Sequence, residues 1–173
     1  LRIKSVRFCL TNIVMQENRN KGDKNMNQKA NEIKDNFIKG YDCSQVVFRH
    51  FAERFDLSED EANRIAACFG GGMMLGSVCG AYTGALMAIG MKYGHTKEEG
   101  LMDQKNVMIG KYMEFKNRFE QEYGSVNCKE IIGYDVSTPE GLQGALDSGK
   151  MTEFCPCLAE KVIQITEEIL NED

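Results

Sequence analysis

Three cysteines of this chain stand where the chemistry of a thiol changes. Cys43 follows Asp42 in GYDCSQ, Cys128 follows Asn127 in SVNCKEIIG, and Cys155 opens CPCLAEKV. Each sits at or beside an expected helix N-terminus, where free backbone N–H groups and the helix dipole favour thiolate over thiol. A thiolate is both a nucleophile and a metal ligand. A fourth cysteine, Cys79, lies in FGGGMMLGSVCGAYTGALMAIGM, a run without charge. There Gly76, Gly80 and Gly84 recur every fourth residue, which on a continuous helix lines one face. Such a face packs tightly against a neighbour, with Cys79 as a small buried hydrophobe, or leaves space around Cys79 for a cofactor or a second sulfur.

Other site chemistries lack their residues. No C-x-x-C occurs, which leaves out thioredoxin-type and zinc-ribbon motifs, and no C-x-x-C-H is present for covalent haem. The two histidines, His50 on an amphipathic helix and His95 in a loop, read as ordinary surface or core residues. The glycines match neither a phosphate-binding loop nor a dinucleotide fingerprint. With seven cysteines, an odd number, and no secretory signal read at the start, a disulfide framework is not expected. A net charge of −5 offers no basic face for nucleic acid.

The elements that position these residues read as helices. Residues 27–39 place Ala30, Ile33 and Phe37 on one side. Asp42 with Gln45, and Ser58 with Glu61, form capping boxes for the next two helices. Val47, Phe48, Phe51 and Phe55 are the apolar side of the first of these. The glycine-rich helix is expected from about Ser77 to Tyr93. Thr96 with Glu99 starts the longest helix, which runs to Tyr123 with Met102, Ile109, Met113 and Phe119 buried. Asn127 with Glu130 caps a brief turn, Thr138-Pro139 opens a short helix, and a last one carries Leu158, Val162, Ile165 and Ile169 on one face. The expectation is an all-α, compact single-domain helical bundle around a buried, glycine-rich central helix. Residues 1–25, with Cys9, read as a disordered or non-native extension, of which 17–25 are solvated linker, and 26–173 as the domain. The glycines that open the uncharged run leave too short a segment for a membrane span, so the domain is expected in the cytoplasm.

Taken together, Cys43, the run Cys79-Gly80-Ala81-Tyr82-Thr83-Gly84, Cys128 and Cys155 resemble a bacterial and archaeal family of redox-active proteins labelled by its cysteines, C_GCAxxG_C_C. The likeness covers about residues 27–170 and includes GYDCSQ and GALMAIGMKYG. This chain reads C-G-A-x-x-G where the label transposes the order, and Cys157 offers itself as a substitute for Cys155. Cys68 has no counterpart. The resemblance implies a redox role without naming a substrate, and a functional link to a transporter.

Three functions follow. In the first, Cys43, Cys79, Cys128 and Cys155 converge on an iron–sulfur cluster for electron transfer, with structural zinc as the alternative metal. In the second, the same four cysteines are catalytic and cycle between dithiol and disulfide with no cofactor. In the third, they are structural residues of a helical interaction module. A redox partner is implied but not identified, and apolar, Met-rich surfaces would suit a homodimer.

Overall fold

The computed structural model describes residues 21–172. The extension expected over residues 1–25 lies outside them up to residue 20, but Lys21–Asn25 are helical, so the first helix begins well before the expected boundary. Eight α-helices are found among the described residues: α1 Lys21–Ile38, α2 Cys43–His50, α3 Glu59–Ala66, α4 Gly80–Tyr93, α5 Leu101–Tyr123, α6 Cys128–Ile132, α7 Pro139–Asp147 and α8 Cys155–Leu170. The only strand-like pairing among these residues is one antiparallel bridge between Val78 and Asn127. The fold is all-α.

Helix α4 is central, packed against α2, α5 and α8. It can sit there because its side chains are small: Ala81, Ala85 and Ala88 are fully buried beside Ile89. The α2 face of Val47, Phe48 and Phe51 is buried as the spacing predicts, and so is the α8 face of Leu158, Val162, Ile165 and Ile169. Beyond α8, the chain end is clamped. Lys92 Nζ donates to the carbonyls of Leu170 (2.9 Å) and Glu172 (2.7 Å), and the Tyr93 hydroxyl donates to those of Ile169 (2.9 Å) and Glu172 (3.0 Å).

Two expectations for α5 are corrected. Thr96 does not start it, because the Gln104 side chain accepts from the Thr96 and Lys97 N–H groups and donates to the carbonyls of Lys97 and Glu99. Residues 96–99 are thereby held as a loop, and the helix begins only after Gly100, at φ +67°. Its buried stripe is also different. Met102, Ile109 and Met113 are 63%, 42% and 44% exposed, while Phe115 and Phe119 are fully buried. The helix carries two apolar stripes, and the aromatic one packs inward because each ring removes more apolar surface from water. The Tyr82 ring meets Phe115 and Phe119 at centroid distances of 5.1 and 5.0 Å.

The uncharged run that holds Cys79 is not one helix. It is a short 3₁₀ turn ending at Phe69, then a left-handed turn, then the 14 residues of α4. No helix among the described residues is long and apolar enough to cross a membrane.

Candidate functional site: four converging thiols

Each of the four cysteines stands at the start of a helix. Cys43, Cys128 and Cys155 are the first residues of α2, α6 and α8, as expected. Cys79 is not inside its helix but immediately before it, as the N-cap of α4. The four starts are fixed in different ways. At α2, the Asp42 N–H donates to Gln45 Oε1 (2.9 Å), Gln45 Nε2 donates to the Asn63 carbonyl (3.1 Å) and the buried Ser44 hydroxyl donates to the Ala66 carbonyl (2.8 Å). Cys43 is thus held against α3 from both sides. Cys79 and Cys128 flank the isolated bridge: the Cys79 N–H donates to the Val126 carbonyl (2.8 Å) and the Cys128 N–H to that of Ser77 (2.6 Å). Cys155, with Pro156 after it, leaves a wide turn over Lys150–Phe154 and packs in a small apolar cluster with Cys128, Ile132 and Ala145.

Within this arrangement, the thiols are close enough for each to feel the charge of the others. Cys79 is influenced by Cys43 and Cys128, Cys128 by Cys43, and Cys155 by Cys43, Cys79 and Cys128, which accounts for all six pairs. The glycines show how one approach is made. A Cβ on Gly80 would lie 2.4 Å from Cys43 Sγ, so the sulfur occupies the space that glycine leaves, next to Cys79. Gly84 does something plainer, letting the α2 backbone at Ser44 press on α4. Gly76 lies outside α4, at φ +63°, and faces Asp135 and Lys129. The expected three-glycine stripe is therefore two glycines long, because the backbone is not helical before residue 80.

Thiolate stabilisation at the helix starts, expected from sequence, does not prevail. Backbone N–H groups do point at two of the sulfurs, from Gly71 and Ser44 to Cys43 and from Tyr82 and Ala81 to Cys79. Burial nevertheless outweighs them. It pushes all four thiols up, Cys128 to about 11 and Cys79 and Cys155 well above the usual thiol range, and the neighbouring sulfurs add like-charge repulsion. Lys150 beside Cys155 opposes this. Taking a charge out of water costs more than a few N–H dipoles return.

Cys68 is an exposed free thiol in the 3₁₀ turn, outside this group. Cys157, the substitute considered for Cys155, is on the first turn of α8 and is not among the free thiols. Cys155 is the residue coupled to the other three.

The left-handed turn was not foreseen, although the Gly70-Gly71-Gly72 run was its signal. Gly71, Gly72, Met73 and Met74 have φ of +56°, +64°, +59° and +58°. For Met73 and Met74 this conformation costs about 1–2 kcal/mol each, so the surroundings must hold it. Gly72 is needed there for space as well, since a Cβ would lie 2.5 Å from the Ser77 backbone nitrogen.

A metal can be tested against this site by its donor set and its spacing. Four cysteine sulfurs suit iron–sulfur ligation or zinc. A single zinc ion needs its sulfurs about 2.3 Å away on a tight tetrahedron. Among the described residues, no three His, Cys, Asp or Glu side chains are grouped to hold one ion. The donor type suits either group, and the side chains as they stand are not gathered around one ion.

Compared with known proteins, residues 41–169 match the model of the family described as "Putative redox-active protein (C_GCAxxG_C_C)". No curated protein and no solved structure matches the chain.

Proposed function

Since the chain belongs to the C_GCAxxG_C_C family of redox-active proteins, we propose that Cys43, Cys79, Cys128 and Cys155 are the ligands of an iron–sulfur cluster and that the protein is an electron carrier. The observation that carries this reading is the mutual coupling of four free thiols delivered by four separate helix starts. Burial and repulsion hold those thiols protonated. A thiol in that state is a poor nucleophile, whereas coordination to a cation removes the proton and offsets the repulsion. Bound there, a cluster would supply one-electron transfer. The protein's own part is to enclose it and to aim N–H donors at its sulfur ligands, which together with burial set the potential. Gly71, Ala81 and Tyr82 supply such donors.

The test is anaerobic purification without chelators, followed by a visible spectrum with iron, sulfide and zinc analysis. Charge-transfer bands with iron and sulfide, lost in Cys79→Ser and kept in Cys68→Ser, are expected. A colourless, iron-free protein after reconstitution would overturn the reading.

The same four thiols without metal would be a dithiol–disulfide centre. What favours it is that no three ligands among the described residues are grouped for a metal ion, while Cys79 and Cys128 flank one bridge. A reversible change of two alkylatable thiols between oxidised and reduced protein would support this second reading.

A further inference from the structure

Helix α5 is longer than the core it serves. Only Phe115 and Phe119 of its 23 residues are buried. Before them, residues 101–114 have just a half-buried side, with Gln104, Met108 and Tyr112, that continues the line of the two rings. On the side turned away from α4 and α8, Met102, Ile109 and Met113 are exposed. The positions 102, 106, 109 and 113 alternate steps of four and three residues, which is the spacing of a coiled-coil seam. Met102 and Ile109 then take the d positions, and Asn106 and Met113 the a positions. The seam is about 17 Å long at 1.5 Å per residue. It stops at Lys116, the next d position, which pairs with Glu120 of its own helix (2.6 Å).

This seam is matched to itself. Asn106, exposed in its middle, carries an amide that both donates and accepts, so its complement across a parallel pair is a second Asn106. A wholly apolar partner helix would leave that amide unpaired, and an antiparallel copy would set it against Ile109. The flanks agree. In a parallel pair, Lys105 at g meets Gly110 at e of the other chain, and Tyr112 meets Asn117, so no like charges oppose one another. A Cβ on Gly110 would have nothing within 4 Å, and that open space can take the Lys105 stem of the second copy. We propose that this side of α5 is a dimer interface, in which two copies of the chain pair in parallel along Met102, Asn106, Ile109 and Met113. Specific, stable interfaces bury about 1,200–2,000 Å². A seam of four layers is smaller, so the pair forms with rising concentration and is not permanent. The inference does not depend on metal.

Sedimentation velocity on the full chain, metal-free and reduced, tests it from about 10 µM to about 1 mM. The native protein should pass from monomer to dimer across that range. Ile109→Asp, which puts like charges across the two-fold axis, should stay monomeric. Val107→Asp, at an exposed position on another side of the helix, should dimerise as the native chain does and have the same Tm as Ile109→Asp. A second measurement reads the register without relying on Ile109→Asp. In a Cys68→Ser background with oxidised glutathione, Met102→Cys should form its intermolecular disulfide about tenfold faster than Val107→Cys, or more. A native protein that stays monomeric at the highest concentration overturns the proposal, as does a dimer that Ile109→Asp leaves intact. Disulfides that form only between Met102→Cys and Met113→Cys chains mean an antiparallel pair and overturn the register. A protein that dimerises in this way but takes up no iron loses the cluster reading and keeps this one.

Discussion

The glycine beside Cys79 offers the sharpest check on how the site is built. Replacing Gly80 by alanine adds one methyl group, 2.4 Å from Cys43 Sγ, 2.9 Å from the Phe69 carbonyl oxygen and 3.2 Å from Gly70 Cα. Ordinary carbon contacts begin near 3.5 Å, so the sulfur would have to retreat by about 1 Å. Neither Cys43 nor the 3₁₀ turn is free to do so, because Ser44 and Gln45 pin the start of α2 to α3. Overpacking of this kind costs about 1–3 kcal/mol. The loss of unfolded-state freedom returns about 0.5 kcal/mol. The net effect, about 0.5–2.5 kcal/mol, corresponds to a fall in Tm of roughly 2–8 °C in a chain of this size. Gly90→Ala is the control, since nothing lies within 4 Å of a Cβ there. As an interior helix position it should gain about 0.5–1 kcal/mol. Thermal unfolding of the two variants should therefore move in opposite directions, and alkylation of Cys43 should change only in Gly80→Ala. A Gly80→Ala protein as stable as Gly90→Ala would mean that the sulfur does not occupy the glycine's space.

Three further outcomes follow from the same contacts. In metal-free reduced protein at neutral pH, exposed Cys68 should be alkylated first and Cys128, pushed up to about 11, should lag until the pH approaches that value; equal rates at pH 7.5 would contradict the burial argument. These raised thiols also set a pH limit. They stay protonated in the folded protein while unfolded thiols ionise near pH 9, so the unfolded state binds fewer protons above that pH and stability falls as pH rises through 9 towards 11; a flat Tm from pH 8 to 10.5 in metal-free protein would refute it. Ser44→Ala removes the buried hydroxyl that donates to the Ala66 carbonyl and should cost about 1–3 kcal/mol, whereas Tyr93→Phe takes one donor from carbonyls that keep others, Lys92 at Glu172 and the Glu172 N–H at Ile169, and should cost about 1 kcal/mol, both read by denaturant unfolding.

What could be read from the sequence was whatever local chemistry decides. The capping pair Asp42 with Gln45 forms as its spacing predicts, and so do Ser58 with Glu61 and Thr138 before Pro139. The faces of α2 and α8 are equally plain, because each helix has one apolar stripe. Helix α5 misled because it has two, and the choice between Met102–Ile109–Met113 and Phe115–Phe119 is made by what α4 presents, namely Tyr82. Gly76 misled for a related reason. A four-residue glycine repeat reads as a helical face only if the backbone is helical throughout, and here the left-handed turn interrupts it. The thiol acidity was mistaken in sign: proximity to a helix start is visible in a sequence, but the depth of burial that outweighs it is a property of the packed molecule.

That sign has a consequence for what the centre can be. Backbone N–H groups are directed at the sulfurs of Cys43 and Cys79, an arrangement that favours negative charge. Burial and the neighbouring sulfurs refuse the same charge to each thiol. A pocket built only to pack cysteines would have no use for the N–H donors. A pocket built for a reactive thiolate would expose one sulfur or pair it with a cation, and among the described residues Lys150 beside Cys155 is the only such cation acting on the four. On the cluster proposal both demands would be met together, because the charge would arrive with its own counter-charge, four thiolates around metal. On this reasoning the thiols should ionise as a set on loading, releasing protons at a pH where each alone stays neutral. Proton release during anaerobic reconstitution at pH 7.5 should therefore exceed that of the added sulfide by about one per cysteine ligand, and this excess should fall in Cys128→Ser but not in Cys68→Ser. Uptake of metal with no proton release beyond that of the sulfide would mean that the thiols were already ionised and that burial does not govern this site.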